Sequence, residues 1–213
     1  MMRSASLCLL QRCHVKPMLL AVVALVALAG CLGPREIPPT LRYTLDPAIE
    51  VPAAEGTEYT LGMRPLAVAQ PYGLVMAFRD AKHRLGYRDN EEWAEDPGDV
   101  LSRAILDALV ATGRFRDTGH ATAMARPDLL LTGELRAFHE NRRSEPPTAE
   151  IEVRLELREA RGTAAVWGDT LRARLPLADD SGDAFAEAME HAVAEIAAQS
   201  ATAIAGAPLS AGL

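Results

Sequence analysis

Few side chains of this sequence have the types and spacings that catalysis or metal binding needs. Glu187 and His191 are four residues apart on a predicted helix, which suits two metal ligands, but no third ligand accompanies them. The remaining histidines after residue 30, His83, His120 and His139, are scattered. The chain also contains no Walker-type phosphate-binding loop and no Gly-x-Ser-x-Gly nucleophile motif. We therefore predict no metal site, no cofactor and no enzymatic activity, and we interpret the Glu187/His191 pair as a solvated helix face.

Cys31 has the most specific sequence context. Basic residues precede an apolar run from Met18 to Ala29, and Leu28-Ala29-Gly30-Cys31 ends it. The run is shorter than the roughly 20 residues of a spanning helix and fits the core of a secretion signal. Its ending resembles the lipobox of bacterial lipoproteins, in which the chain is cut before the cysteine and the thiol is diacylated. We predict a signal peptide over residues 1–30 and lipid attachment at Cys31; a signal or short anchor with an incidental cysteine is the alternative.

The charge balance narrows the choice of partners. Of the 22 basic residues, Arg3, Arg12 and Lys16 leave with the signal, so 19 remain against 29 acidic residues, a formal charge of −10. So negative a chain repels nucleic acid and anionic headgroups. We expect no nucleic-acid partner, and membrane attachment through acyl chains. Cys31 is the only cysteine left, so the core must stabilise the domain without a disulfide.

Two helices and a meander of strands dominate the predicted domain. Asp96, Pro97 and Gly113 supply an N-cap, a first-turn proline and a left-handed end to the first helix. The second helix is alanine-rich and runs from Asp183 to about Ile204. Strands are predicted over Leu129–Phe138, Ile151–Arg158 and Val166–Leu175. In the second of them, strict alternation of apolar and charged residues predicts an antiparallel strand with one solvated face.

The N-terminal half is predicted to extend the same sheet. Strand composition covers Leu41–Leu45 and Tyr59–Val68, whereas Leu74–Asp89 fits either a strand pair or a short helix. The whole predicts one α+β domain over residues 41–205, an antiparallel or mixed β-sheet with two main helices packed on one face. Proline-rich residues 31–40 are predicted to be a tether and residues 206–213 a disordered tail.

Four side chains are candidates for partner contact. Arg142 and Arg143 lie in the loop between the first two meander strands, where docking and simple solvation are both open. Tyr72 lies in a Pro-Tyr-Gly turn, where a buried role and a partner contact are both open, because aromatic residues on turns are more often available to partners than core aromatic residues are. Trp93 precedes the first helix, and we favour a buried role for it over a partner contact.

Several short runs in a fixed order resemble the ABC-type transport auxiliary lipoprotein family. They follow the lipobox and precede the first helix, and residues 77–83 depart from the family's pattern. In order, they are Tyr43-Thr44-Leu45-Asp46-Pro47, Met63-Arg64-Pro65-Leu66-Ala67-Val68, Pro71-Tyr72-Gly73, Arg84-Leu85-Gly86-Tyr87 and Glu92-Trp93-Ala94-Glu95. The resemblance implies a non-enzymatic periplasmic accessory of a lipid-transporting ABC system. Its implied partners are a substrate-binding protein of the MCE type, a permease and an ATPase.

Two other functions stay open at this stage. Small anchored α+β domains also serve as structural or assembly lipoproteins of an outer-membrane barrel or a cell-wall synthase. A direct lipid carrier would need an apolar cavity of several hundred Å3. Leu32, rather than aspartate, follows Cys31, which favours the outer membrane, and a homo-oligomer is compatible with the sequence.

Overall fold

A computed structural model of the chain describes residues 38–209, except residues 163 and 164. The predicted signal peptide and Cys31 lie outside this part of the chain. The strands are β1 (Leu41–Tyr43), β2 (Thr57–Met63), β3 (Ala67–Val68), β4 (Val75–Arg79), β5 (Leu85–Trp93), β6 (Phe115–His120), β7 (Leu129–Asn141), β8 (Thr148–Glu159) and β9 (Ala165–Pro176). The helices are α1 (Pro97–Thr112) and α2 (Gly182–Ala205).

The predicted meander is confirmed as β7, β8 and β9. β8 pairs antiparallel with both neighbours along nearly its whole length. Its apolar residues Ile151, Val153, Leu155 and Leu157 are at most 1% exposed, while the alternate charged residues point to the other face. Each buried aliphatic side chain stabilises the fold by roughly 1.5–3 kcal/mol, which fixes the register of this strand.

The second edge of β7 is shared by three short strands that follow one another along the chain. β2, β3 and β4 all pair parallel to it, with registers of Leu61 opposite Leu129, Ala67 opposite Glu134 and Phe78 opposite Glu140. β6 then pairs parallel with β2, β5 antiparallel with β4, and β1 parallel with β5. The sheet is therefore mixed, and the segment that fitted either a strand pair or a helix is the strand pair β4–β5.

Both helices pack against each other and against one face of the sheet, as predicted. Asp96 caps α1 by accepting from the Gly98 backbone N–H, and Gly113 ends it at φ 64°, in the left-handed region. α2 begins one residue earlier than predicted, because the Ser181 hydroxyl accepts from the Ala184 N–H and is the N-cap. The α+β class with two helices on one face is confirmed.

Several boundaries differ from the predicted ones. β6 was not predicted; it is a mostly polar strand that pairs only with β2 in the described sheet. Pro65 separates β2 from β3, so the predicted continuous run is two strands. After α2, Ala207 is 4% exposed and Leu209 packs against the core, so contact with the core extends beyond Gly206, where the tail was predicted to begin. No helix among the described residues is long and apolar enough to cross a membrane.

Candidate functional site

Trp93 is a core residue. It is 3% exposed, and its ring lies 5.4 Å from both Phe138 of β7 and Phe185 of α2, measured between ring centroids. The contact with Phe138 is edge-on, an arrangement that aromatic rings favour. Trp93 therefore joins β5, β7 and α2 in the interior, which is the buried role that we favoured.

Tyr72 covers a buried histidine on the face of the sheet away from the helices. Its ring stacks on His139 at 5.6 Å between centroids, and the Tyr72 hydroxyl and His139 Nδ1 are 3.1 Å apart, within hydrogen-bonding distance. His139 is 1% exposed, and burial lowers its pKa from 6.5 to about 4. The neutral imidazole is therefore the dominant form near neutral pH. Burial also raises the pKa of Tyr72.

Two charged groups flank this pair. His139 Nε2 is 3.3 Å from Glu150 Oε2 but is not aligned for a hydrogen bond, so this buried nitrogen has no hydrogen-bond partner among the described residues. The charge of Glu150 opposes the downward shift of the His139 pKa, and that of Arg79 adds to it. Tyr72 covers the imidazole and Glu150 flanks it, so His139 is 1% exposed and contributes to the packing of this face.

A network of ion pairs lies on the helix side of the sheet. Glu140 is 1% exposed, and its carboxylate accepts from Arg88 at 2.8 Å and from Arg142 through two nitrogens at 2.7 and 2.8 Å. Arg88 also pairs with Glu91 and donates to the Asp180 carbonyl, just before the cap of α2. The network therefore fastens the start of α2 to β5 and β7.

Arg142 and Arg143 differ in their surroundings although they are neighbours. Arg142 is held by Glu140 and lies 3.8 Å above the ring of Phe78, a cation–π contact. Arg143 is exposed; its backbone N–H donates to the Asn141 side chain, and its guanidinium makes no ion pair with the residues that the structure describes. Of the two arginines, Arg143 is thus the one with a free side chain.

An open cleft of about 310 Å3 borders the ion-pair network. Its lining residues are Phe78, Tyr87, Arg88, Asp89, Glu91 and Arg142. Four of these six are charged, so the cleft suits a polar or ionic group rather than an acyl chain.

The residues that the structure describes offer no evident ligand set for a metal ion. In the described ranges 38–162 and 165–209, no three histidine, cysteine, aspartate or glutamate side chains are grouped so that they could hold an ion. Glu187 and His191 lie on α2, and His191 is exposed.

Sequence reasoning missed the residues at the centre of both clusters. His139, Glu140 and Arg88 are contributed by strands far apart in the chain, and no local motif marks them. The one available signal is the run Phe138-His139-Glu140 at the end of a predicted strand, where apolar and polar residues follow without strict alternation. Such a break suggests that both faces of the strand end are covered.

The chain is an α+β protein whose mixed sheet carries both helices on one face. Two buried polar clusters, around His139 and around Glu140, lie on opposite faces of this sheet. A family model for the ABC-type transport auxiliary lipoprotein component matches residues 43–201, which is most of the chain. The chain belongs to this family, and it is accordingly an auxiliary lipoprotein of ABC-type transport. The match runs from the last residue of β1 through most of α2, so it includes both clusters.

Solved structures agree on the fold. The crystal structure of protein XCC0632 from Xanthomonas campestris has a TM-score of 0.70 at 20% identity, covering 78% of this chain and 96% of that one. Another crystal structure, of an uncharacterized protein, has a TM-score of 0.58 at 14% identity and covers 73% of this chain and 99% of that one. No curated protein matches the sequence. At these identities the structural neighbours establish the fold alone.

Proposed function

We propose that this protein is a lipid-anchored periplasmic adaptor of an ABC transport system whose substrate-binding component is of the MCE type. The observation that carries the proposal is the family match over residues 43–201. The predicted anchor at Cys31 would hold the domain at a membrane, for which the sequence favours the outer membrane. The protein would act there by binding the MCE-type protein or its permease and ATPase.

The chemistry of the domain supports binding over catalysis. Its two most buried ionisable clusters, around His139 and Glu140, are closed by side chains of the protein itself. A group engaged in this way holds strands and helices in place and is not free to move a proton to a substrate. We therefore propose a non-catalytic role.

The shape of the cleft supports an adaptor over a direct lipid carrier. A carrier would need to enclose acyl chains in an apolar cavity, whereas this cleft is open and mostly charged. The lipid would then be carried by another subunit, and this chain would position that subunit relative to the membrane.

The anchor is tested by the mass of the N-terminal peptide of the mature protein. We expect cleavage after Gly30 and a diacylated Cys31, and we expect Cys31→Ala to abolish the acyl mass and release the protein from membranes. An unmodified cysteine in a membrane-bound protein would contradict this assignment.

The adaptor role is tested by affinity purification of the tagged, lipidated chain from its native membranes. We expect an MCE-type protein with its permease and ATPase to co-purify. The matched control is the Cys31→Ala chain, which keeps the domain but loses the anchor. Recovery of an outer-membrane barrel or a cell-wall enzyme in place of these subunits would replace the proposal with an assembly role.

A further inference from the structure

One end of the sheet carries more positive than negative charge, although the protein as a whole is acidic. Residues 79–84, which are the last residue of β4 and the β4–β5 turn, and residues 142–147, the β7–β8 loop, together carry five basic side chains, Arg79, Lys82, Arg84, Arg142 and Arg143, against two acidic ones, Asp80 and Glu145. Because residues 31–213 carry a formal charge of −10, all other positions together carry −13. We call these two segments the basic end.

The backbone holds the two segments of the basic end side by side. β4 and β7 are parallel and finish together, with Arg79 opposite Asn141, and the Arg142 N–H donates to the Arg79 carbonyl at 2.9 Å. Asp80 organises the turn by accepting from the backbone N–H groups of Lys82 and Arg84. These backbone hydrogen bonds fix the position of the two segments of the basic end relative to each other.

Most of this positive charge is not neutralised locally. Asp80 pairs with Arg84, and buried Glu140 pairs with Arg142. Lys82 and Arg143 are exposed and form no ion pair among the described residues, and the exposed Arg79 is neighboured by Tyr72. The surplus faces solvent, where it is available to an anionic surface.

The first described strand, β1, runs away from the basic end. β5 starts at the β4–β5 turn, and β1 runs parallel to β5 with Leu41 opposite Glu91, so β1 points away from that turn. Cys31 precedes Thr40 by nine residues, which can span at most about 30 Å. If Cys31 carries the lipid, a tether of this length keeps the domain within reach of the membrane surface.

Exposed apolar side chains occur along the strands that lead away from the basic end. Leu41 of β1 is 52% exposed, Val75 of β4 is 40% exposed and Tyr87 of β5 is 46% exposed. Of these, Tyr87 lies nearest the basic end, because it pairs with Ala77, two residues before Arg79. An aromatic side chain close to basic ones suits a surface that rests in a lipid headgroup region.

From this arrangement we infer that the basic end binds the anionic phospholipid headgroups of the membrane in which the protein is anchored. The inference rests on the anchor of the proposed function but adds a second, electrostatic contact. The overall negative charge of the protein predicts repulsion from an anionic membrane. Because the basic end carries a local positive charge, this end is attracted instead, and the acidic remainder of the domain faces the periplasm. Each lysine or arginine close to an anionic membrane surface increases the binding constant for that membrane on the order of fivefold.

The test measures the distance between the basic end and the membrane in vesicles that hold the lipidated protein. Cys31 is occupied by lipid, so Ala81→Cys in the β4–β5 turn offers a unique site for a fluorophore. Ala160→Cys, also exposed, offers the same site beside the β8–β9 turn at the opposite end of β8. Quenching by a headgroup-labelled lipid is compared in phosphatidylcholine vesicles with and without phosphatidylglycerol.

We expect phosphatidylglycerol to increase quenching at position 81 and not at position 160, and salt to remove the increase. Lys82→Glu with Arg143→Glu should abolish it, whereas Arg126→Glu with Arg161→Glu, an equal charge change in the β6–β7 and β8–β9 connections, should leave it intact. Equal quenching at both positions, or quenching indifferent to phosphatidylglycerol, would overturn the inference.

The vesicles contain no transport subunit, so this result is independent of the affinity purification. Suppose that phosphatidylglycerol does not change the quenching, and that a subunit no longer co-purifies with the Lys82→Glu, Arg143→Glu double variant. The basic end then contacts an acidic protein, and the lipid inference is wrong. If position 81 approaches the anionic membrane but no transport subunit co-purifies, the membrane contact stands and the proposed function fails.

Discussion

Acidification from about pH 7.5 to about pH 5 should destabilise this protein through His139. The imidazole is 1% exposed, and burial lowers its pKa from 6.5 to about 4, with Arg79 acting in the same direction and Glu150 against it. Between these two values the unfolded chain binds a proton that the folded chain does not, so the free energy of unfolding decreases as the pH falls. The contribution is complete above pH 6.5 and is lost by about pH 4.

The size of the effect follows from the same two pKa values. The full shift corresponds to about 3 kcal/mol, of which about 2 kcal/mol is lost by pH 5. Carboxylates whose pKa is lowered, such as Asp128 beside Thr60, contribute only at lower pH, because both their folded and unfolded forms are ionised in this window. Urea unfolding followed by tryptophan fluorescence at both pH values measures the difference.

Two variants isolate the histidine. His139→Phe keeps a planar ring, costs about 1 kcal/mol near neutral pH through the lost Tyr72 contact, and should remove most of the pH dependence. His191→Phe changes an exposed histidine and should retain it. Equal losses of stability on acidification in the wild-type chain and in His139→Phe would show that His139 is not the group responsible.

Three further predictions concern stability and are measured by urea unfolding of the purified variants. Trp93→Ala should cost about 3–5 kcal/mol because it leaves a cavity in the core; a cost below about 1 kcal/mol would contradict its buried role. Gly133→Ala should cost at least about 2 kcal/mol, because a Cβ there would lie 2.5 Å from a backbone carbonyl oxygen of β8, whereas Gly73→Ala has open space and should be nearly neutral. Arg88→Met should cost about 2–3 kcal/mol by leaving buried carboxylates short of a partner, while Arg84→Met, 72% exposed, should cost less than about 0.5 kcal/mol; similar costs would refute the buried network.

The elements that were predicted well are those whose causes are local. The caps of α1 depend on Asp96 and Gly113 at its two ends, and the alternation of β8 is complete within one strand. The strand pair β4–β5 was ambiguous because neither strand has a clear period. Pairing with the end of β7, 62 residues further on in the sequence (Phe78 opposite Glu140), selects the strand form.

Both polar clusters depend on relations that the sequence does not display. In β5, Asn90 adopts a φ of 58°, and the pairing with β4 is irregular between Tyr87 and Glu92. This irregularity lets Arg88 and Glu91 meet on the helix side of the sheet. His139 is buried because the turn that carries Tyr72 lies over it. Neither the irregular pairing of β5 nor this contact follows from residue type or spacing, so the residues at the centre of the candidate site could be identified only from the structure.

The most direct test of the adaptor account is binding between the purified lipidated chain, held in vesicles, and the purified MCE-type protein of the same cell. The account predicts saturable binding that is lost when the MCE-type protein is replaced by a substrate-binding protein of another ABC class. Absence of binding, with the chain shown to be folded by its urea transition, would contradict the account.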